Sequence, residues 1–283
     1  MHSHFYGRIE DSIIFTTMAH LDYINKNKLA WNERAKIHIH SDFYNQEKFL
    51  KGENSLKEIE LALLGNVKGK NMLHLQCHFG QDTLSLARMG AKVTGVDFSN
   101  DAIAMAKAAA KQLEIDATFI CCDLYDLPQH LDEQFDIVFT TYGTIGWLPD
   151  IDRWAAIVSR YLKPQGEFIF VEFHPVVWML DNELEQITYR YFNDDAIVEE
   201  LEGTYADKSA AITLETVSWN HGLSEVIQSL LDQQLQLLSF QEFDYSPYDV
   251  FTNSIEIAPS RFQIQHHGNK LPMLYSLKMK KQS

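Results

Sequence analysis

The chain has 283 residues, 46% of them apolar and 22% charged, and its 39 acidic and 24 basic side chains leave a net charge of −15. That length suits one large α/β domain with additions or two small domains, and the composition is that of an ordinary globular protein. Nucleic acid is disfavoured as a partner, because phosphates are bound by Lys and Arg, and no apolar run is long enough for a membrane helix; a neutral or cationic small molecule suits this surface better.

The opening "MHSHFYGRIEDSIIFTTM" lacks a basic start and a cleavable apolar core, so no secretory signal is expected, and Met1 and Met18 are alternative starts. Residues 19–35 and 55–65 carry apolar side chains at three- and four-residue intervals and predict helices, the second stopped by Gly65. Between them "KIHIHSDFYNQEKFLKG" reads as a loop or a short helix. An alternation then begins. "NMLHLQC", "KVTGVD", "ATFICCD", "FDIVFTTY" and "GEFIFVEF" predict five strands. "QDTLSLARM", the Ala-rich "SNDAIAMAKAAAKQLE" and "DIDRWAAIVSRYL" predict helices, the second capped by Ser99 or Asn100. Such alternation implies a parallel, doubly wound sheet.

After the fifth strand the rhythm changes. "ITYRYF", "AIVEELEGTYA" and "AITLETVSW" read as short antiparallel strands inserted into the core, with the acidic residues on a solvated face. "SEVIQSLLDQQ" predicts a helix and "LQLLSFQEF" a strand, and the tail predicts two strands about "HGNK".

Ligands of doubly wound sheets sit beyond the carboxyl ends of the strands. This nominates the loop at 76–80, Asp97, Asp123, Thr140–Thr144 and Glu172–His174. The loop "QCHFG" has one glycine where a pyrophosphate-binding loop has several, which bring backbone N–H groups close to the phosphates. An acid after the second strand serves any ribose. Asp97 is that acid, seventeen residues after Gly80. Asp123 can accept from an adenine amino group, with Leu124 covering a face of the base. The loop has lost phosphate-binding features and retained adenosine-binding ones, a combination that suits S-adenosylmethionine.

With "LHLQCHFGQDTLSLARMGAKVTGVDFS", "FDIVFTTYGTIGWLPD", "LKPQGEFIFVEFHP" and "WNHGLSEVI", the chain resembles the class I S-adenosylmethionine-dependent methyltransferases over most of its length, and in particular a bacterial branch marked by these stretches. The common pattern of the superfamily has Asp at the position of His74 and Gly at Gln76 and His78; Gly80 is retained. The resemblance implies a Rossmann-like, seven-stranded sheet whose last strand is antiparallel. The expected cofactor set is Gln76, His78 and Gly80 in the loop, Asp97 and Phe98, Asp123 and Leu124, and Thr140.

Methyl transfer is an in-line displacement that needs alignment, and a base only where the acceptor carries a proton to remove. His174, in "EFHP", is expected either as that base or as the residue fixing the turn before Pro175; Glu172 either orients it or pairs with a neighbour. Tyr142 is expected to face the acceptor. Trp31, Tyr44, Trp178, Trp219, Tyr245 and Tyr248 form a candidate aromatic lid, or simply pack it, and His221 is a further acceptor-side candidate. The pairs His2/His4, His38/His40 and His266/His267 lack the spacing of a metal site, so no metal is expected. Cys77, Cys121 and Cys122 read as thiols in a reducing cytoplasm.

The sequence therefore predicts a cytoplasmic methyltransferase acting on a small molecule. Its expected parts are an N-terminal extension and helical cap (1–65), a cofactor-binding core (66–177), a β-rich lid (178–221) and the rest of the core sheet (222–283). The alternatives are an NAD(P)-dependent oxidoreductase and a non-catalytic S-adenosylmethionine-binding module.

Overall fold

The computed structural model describes residues 22–283, so Met1, Met18, His2 and His4 lie outside the described residues. The described part of α1 spans 22–38 and runs three residues beyond the predicted helix. The predicted loop carries a short helix, α2 (Gln46–Leu50), and α3 follows at Glu58–Leu64.

The core then alternates as predicted: β1 (Asn71–Leu75), α4 (Gln81–Arg88), β2 (Lys92–Asp97), α5 (Asn100–Gln112), β3 (Ala117–Cys121), β4 (Phe135–Thr141), α6 (Ile151–Tyr161) and β5 (Leu162–Phe173). Ser99 caps α5 by accepting from the Ala102 N–H. After the insertion come α7 (Leu223–Asp232), β8 (Leu235–Phe243) and β11 (Leu274–Lys281). The seven strands lie in the order β3-β2-β1-β4-β5-β11-β8, and β11 is antiparallel to both β5 and β8. This is the Rossmann-like sheet with an antiparallel last strand.

Near-continuous apolar strands make sense here because both faces of the sheet are covered. Leu73, Val138, Phe168 and Phe170 pack toward α6 and α7, while Met72, Phe139 and Ile169 pack on the other face with Leu64 of α3 and Leu86 of α4.

Two expectations about the additions are corrected. Of the three strands predicted between 187 and 219, two form, β6 (Ile197–Glu202) and β7 (Thr213–Ser218), as an antiparallel pair. "ITYRYF" makes only an isolated bridge, Leu180 to Ile187. The two tail strands do not pair across "HGNK": β10 (Arg261–Ile264) pairs with the unpredicted β9 (Ser254–Ala258), and β11 enters the main sheet.

Gly80 begins α4 with φ +79°, and a Cβ there would come within 2.8 Å of the Phe119 ring and 2.9 Å of Ala106. Gly80→Ala is therefore expected to destabilise the chain by about 2–4 kcal/mol, from overpacking together with a left-handed alanine. Urea denaturation measures this, and a change below about 0.5 kcal/mol would contradict the packing described.

Candidate active site

The carboxyl ends of β1, β2, β4 and β5 open into a cavity of about 710 Å³, bounded on its other sides by α1, the 43–57 segment and the β6–β7 pair. The loop after β1 enters it with an unusual backbone. Gln76 and His78 have φ of 55° and 51°, the left-handed region that favours glycine. These are the two positions where the superfamily pattern has glycine. Here non-glycine residues follow a glycine-like path, at about 1–2 kcal/mol for each.

Their side chains do what glycine cannot. The Gln76 Nε2 donates to the Thr144 carbonyl at 2.8 Å, joining the loop after β1 to the turn after β4. The His78 ring lies 3.1 Å from His38 and packs on Trp31 and Phe79. His74, which replaces the pattern's Asp, bonds Thr83 of α4 at 2.8 Å, and burial pushes it down to about 3, so it ties strand to helix as a neutral ring.

Asp97 anchors this loop. Burial pushes its carboxyl up to about 6, against the backbone N–H groups of Ser99 (2.9 Å), His78 (2.8 Å) and Phe98, which favour the anion. A carboxylate offers about four acceptor positions, so room remains for a hydroxyl from a ligand. Phe98, Asp123 and Leu124 continue the wall, and Asp123 also caps the turn after β3 by accepting from the Tyr125 N–H at 2.8 Å. Thr140 departs from expectation: it is wholly buried within β4 and absent from the wall, whereas Thr141 reaches it. Alternation along the strand gives neighbours opposite faces.

Beyond β4 the chain turns sharply, with Tyr142 at φ 55°. Its hydroxyl donates to the carboxylate of Glu60 on α3, and Tyr248 packs edge-on at 5.0 Å. Glu60 is fully buried, and burial pushes it up to about 7 despite the bonds from Tyr142 and the Lys57 N–H. Glu172 braces the same turn, accepting from the N–H groups of Gly143, Thr144, Ile145 and Phe173.

His174 does not line the cavity. Its Nε2 lies 3.0 Å from Glu242 of β8 and its Nδ1 accepts from the Val176 N–H. β5 ends at Phe173, so the alternation that would put His174 beside Glu172 no longer holds, and the ring fixes the turn at Pro175. The expected base is thus corrected to a structural residue. His221 does reach the wall, with both ring nitrogens engaged, by the Leu148 carbonyl (2.8 Å) and Glu225 (3.1 Å).

Trp31, Tyr44, Trp178, Trp219 and Tyr248 all line the cavity; Tyr245 does not, and lies instead against Arg261. The Tyr44 hydroxyl meets that of Tyr205 from the β6–β7 connection at 2.6 Å, so the cap and the insertion close on each other. Sequence reasoning missed Arg34, Glu60 and Tyr205. A charged residue at an apolar position of the helix pattern was the available signal for the first two. Among the described residues no cluster of His, Cys, Asp and Glu has metal-binding geometry, and no helix is long and apolar enough to cross a membrane.

Comparison with known proteins gives the same outline. Residues 72–166 match the family described as a methyltransferase domain. A ubiquinone biosynthesis O-methyltransferase of Coxiella burnetii is 34% identical over 115 residues, which cover 41% of this chain and 47% of that protein. An uncharacterized methyltransferase of Synechocystis is 34% identical over 130 residues, 45% of this chain and 59% of the relative. The chain thus spans about half the length of the curated relatives it matches. Among solved structures, a chain from Listeria monocytogenes provisionally described as an S-adenosylmethionine-dependent methyltransferase superposes with a TM-score of 0.61 at 22% identity, over 80% of this chain and 96% of that one.

Proposed function

We propose that this chain is an S-adenosylmethionine-dependent methyltransferase with a small-molecule acceptor, working in the cytoplasm with its three cysteines as free thiols. The observation that carries the reading is the loop after β1: it keeps a glycine-like path at Gln76 and His78 and is pinned by Asp97, inside a stretch that matches a methyltransferase domain. The cofactor supplies an electrophilic methyl on a sulfonium. Gln76, His78 and Gly80 shape the bed of its methionine arm, Asp97 and Phe98 hold the ribose, and Asp123 with Leu124 receives the adenine. The fit is supported by the remaining acceptor capacity of Asp97 and by a volume large enough for a nucleoside and a second small molecule.

The strand order carries the wall from β3 and β2 through β1 to β4, so Tyr142 stands beyond the cofactor's reactive end and faces the acceptor. The buried pair of Tyr142 and Glu60 receives the proton where the methylated atom carries one: the acceptor O–H or N–H gives its proton to Tyr142, whose own hydroxyl proton passes to Glu60. The aromatic walls from Tyr44, Trp178 and Tyr248 shield the methyl from water. The O-methyltransferase name of the Coxiella relative supports oxygen as the acceptor atom.

The test is calorimetric titration with S-adenosylmethionine, S-adenosylhomocysteine and NAD in parallel. Micromolar binding of the first two with NAD silent is expected. Binding of NAD alone would overturn the reading in favour of an oxidoreductase.

A further inference from the structure

Buried polar atoms without partners gather at one end of the cavity. α1 carries Trp31 and Arg34 one turn apart, and both line the wall beside the loop after β1. Arg34 is only 5% exposed, yet among the described residues it makes no hydrogen bond and no ion pair. Its guanidinium carbon lies 5.1 Å from the Trp31 ring and 5.2 Å from the Trp147 ring, so two indoles hold it in place without neutralising it. Burial lowers its pKa. An unpaired buried cation is costly and implies a missing anion.

Among the described residues no acid of the wall pairs with Arg34. Asp97 and Glu172 are engaged by backbone N–H groups, and Asp82 is held by Ser55 and Lys57. The neighbouring histidines add no charge: burial, with Arg34 alongside, pushes His38 down to about 3 and His78 well below its usual value. Arg34 is thus the cation of this corner.

An acceptor lines the same cavity. Gln76 spends its amide nitrogen on Thr144, which fixes the side chain, and its Oε1 is buried without a partner. The wall therefore presents a fixed cation, the unpartnered Trp31 N–H and an unpartnered amide oxygen. The ligand chemistry that complements this set is a carboxylate with an ammonium beside it, the zwitterionic end of an α-amino acid.

We propose that Arg34 receives the carboxylate and Gln76 Oε1 the ammonium of the methionine arm of the methyl donor, an assignment that rests on the cofactor reading above. It moves Trp31 from the acceptor side to the cofactor side, as the ring that positions Arg34. It also explains why a side chain replaces glycine at residue 76 despite the left-handed backbone: the amide oxygen is a ligand group.

The experiment titrates wild type, Arg34→Gln and Arg34→Lys with S-adenosylhomocysteine and with 5′-methylthioadenosine, which keeps the adenosine and the sulfur and lacks the amino-acid end. Wild type is expected to prefer S-adenosylhomocysteine. Arg34→Gln lowers that affinity by about ten- to a hundredfold, the worth of one charge-assisted contact, and leaves methylthioadenosine within about twofold. Arg34→Lys, which keeps the charge and loses the planar fork, falls between. Equal losses for both ligands, or an Arg34→Gln variant that binds S-adenosylhomocysteine like wild type, overturn the assignment while leaving the cofactor reading standing. Binding of neither ligand by wild type overturns both.

Discussion

Asp97→Ala lowers the affinity for S-adenosylhomocysteine by about a hundredfold, because a charge-assisted bond to a ribose hydroxyl is worth about 1.5–3 kcal/mol and the loop that shapes the rest of the bed loses its anchor. The anchor is visible in the bonds from the His78 and Ser99 N–H groups to opposite oxygens of the carboxylate. The same residue sets a pH dependence. Burial raises the Asp97 carboxyl to about 6, and a ribose hydroxyl donates to the anion. Affinity is therefore full above that value and falls as the pH drops through about 6. Asp97→Asn removes this limb while keeping an acceptor oxygen for one of the two backbone donors. Calorimetry between pH 5 and 8, with thermal unfolding as a control on folding, measures both effects. An Asp97→Ala protein that stays folded and binds within about threefold of wild type, a difference below 1 kcal/mol, would remove Asp97 from the ribose site.

Much of this site was legible because strand ends are legible. The alternation from residue 71 to 173 specifies which residues follow each strand, and Gln76, His78, Asp97, Asp123 and Tyr142 all reach the cavity wall from those places. The errors have the same origin. A one-residue slip at a strand end changes the face, so Thr140 is buried in the sheet where Thr141 reaches the wall. One residue beyond the end of β5 the pleat no longer applies, and His174 turns to Glu242. "ITYRYF" has the aromatic and β-branched content of a strand, but propensity does not provide a partner, and only β6 and β7 pair.

Arg34 and Glu60, signalled only by a charge at an apolar position of a helix pattern, were missed for a different reason. Helical periodicity places a residue on a buried face without revealing what the helix is packed against, and a charge within such a pattern is ordinarily solvated. Their meaning comes from contacts distant in sequence: Trp147 over Arg34, and Tyr142 donating to Glu60. The left-handed backbone at Gln76 and His78 is likewise invisible in the residue types, which argue against it.

Glu60→Gln flattens the pH dependence of stability and removes a limb from the pH profile of turnover. Burial pushes the Glu60 carboxyl up to about 7 from its ordinary 4.5. For an acid raised on folding, the native state binds the proton more tightly. Stability is greatest below about 4.5 and is lost as the pH rises toward 7, where the buried carboxyl must ionise. The linked loss is about 3 kcal/mol between those limits. Glutamine is nearly isosteric: its oxygen can accept from the Lys57 N–H, which lies 2.6 Å from the first carboxylate oxygen, and its amide nitrogen then donates to the Tyr142 hydroxyl, which bonds the other oxygen in wild type. Urea unfolding at pH 5 and pH 8 should therefore show wild type losing about 2.5 kcal/mol relative to the variant. Turnover responds with the opposite sign. Where a proton leaves the acceptor through Tyr142, Glu60 must be ionised to receive it, so the rate rises with pH through about 7. Glu60→Gln loses that limb and about a hundred- to ten-thousandfold in kcat, and Tyr142→Phe falls with it rather than adding to it. S-adenosylhomocysteine release with a methylatable phenol reports the profile. If the limb survives in Glu60→Gln while the stability difference is found, the carboxyl is buried as described and the proton leaves by another route. If both are unchanged, Glu60 is ionised at neutral pH and the pair has no part in proton transfer.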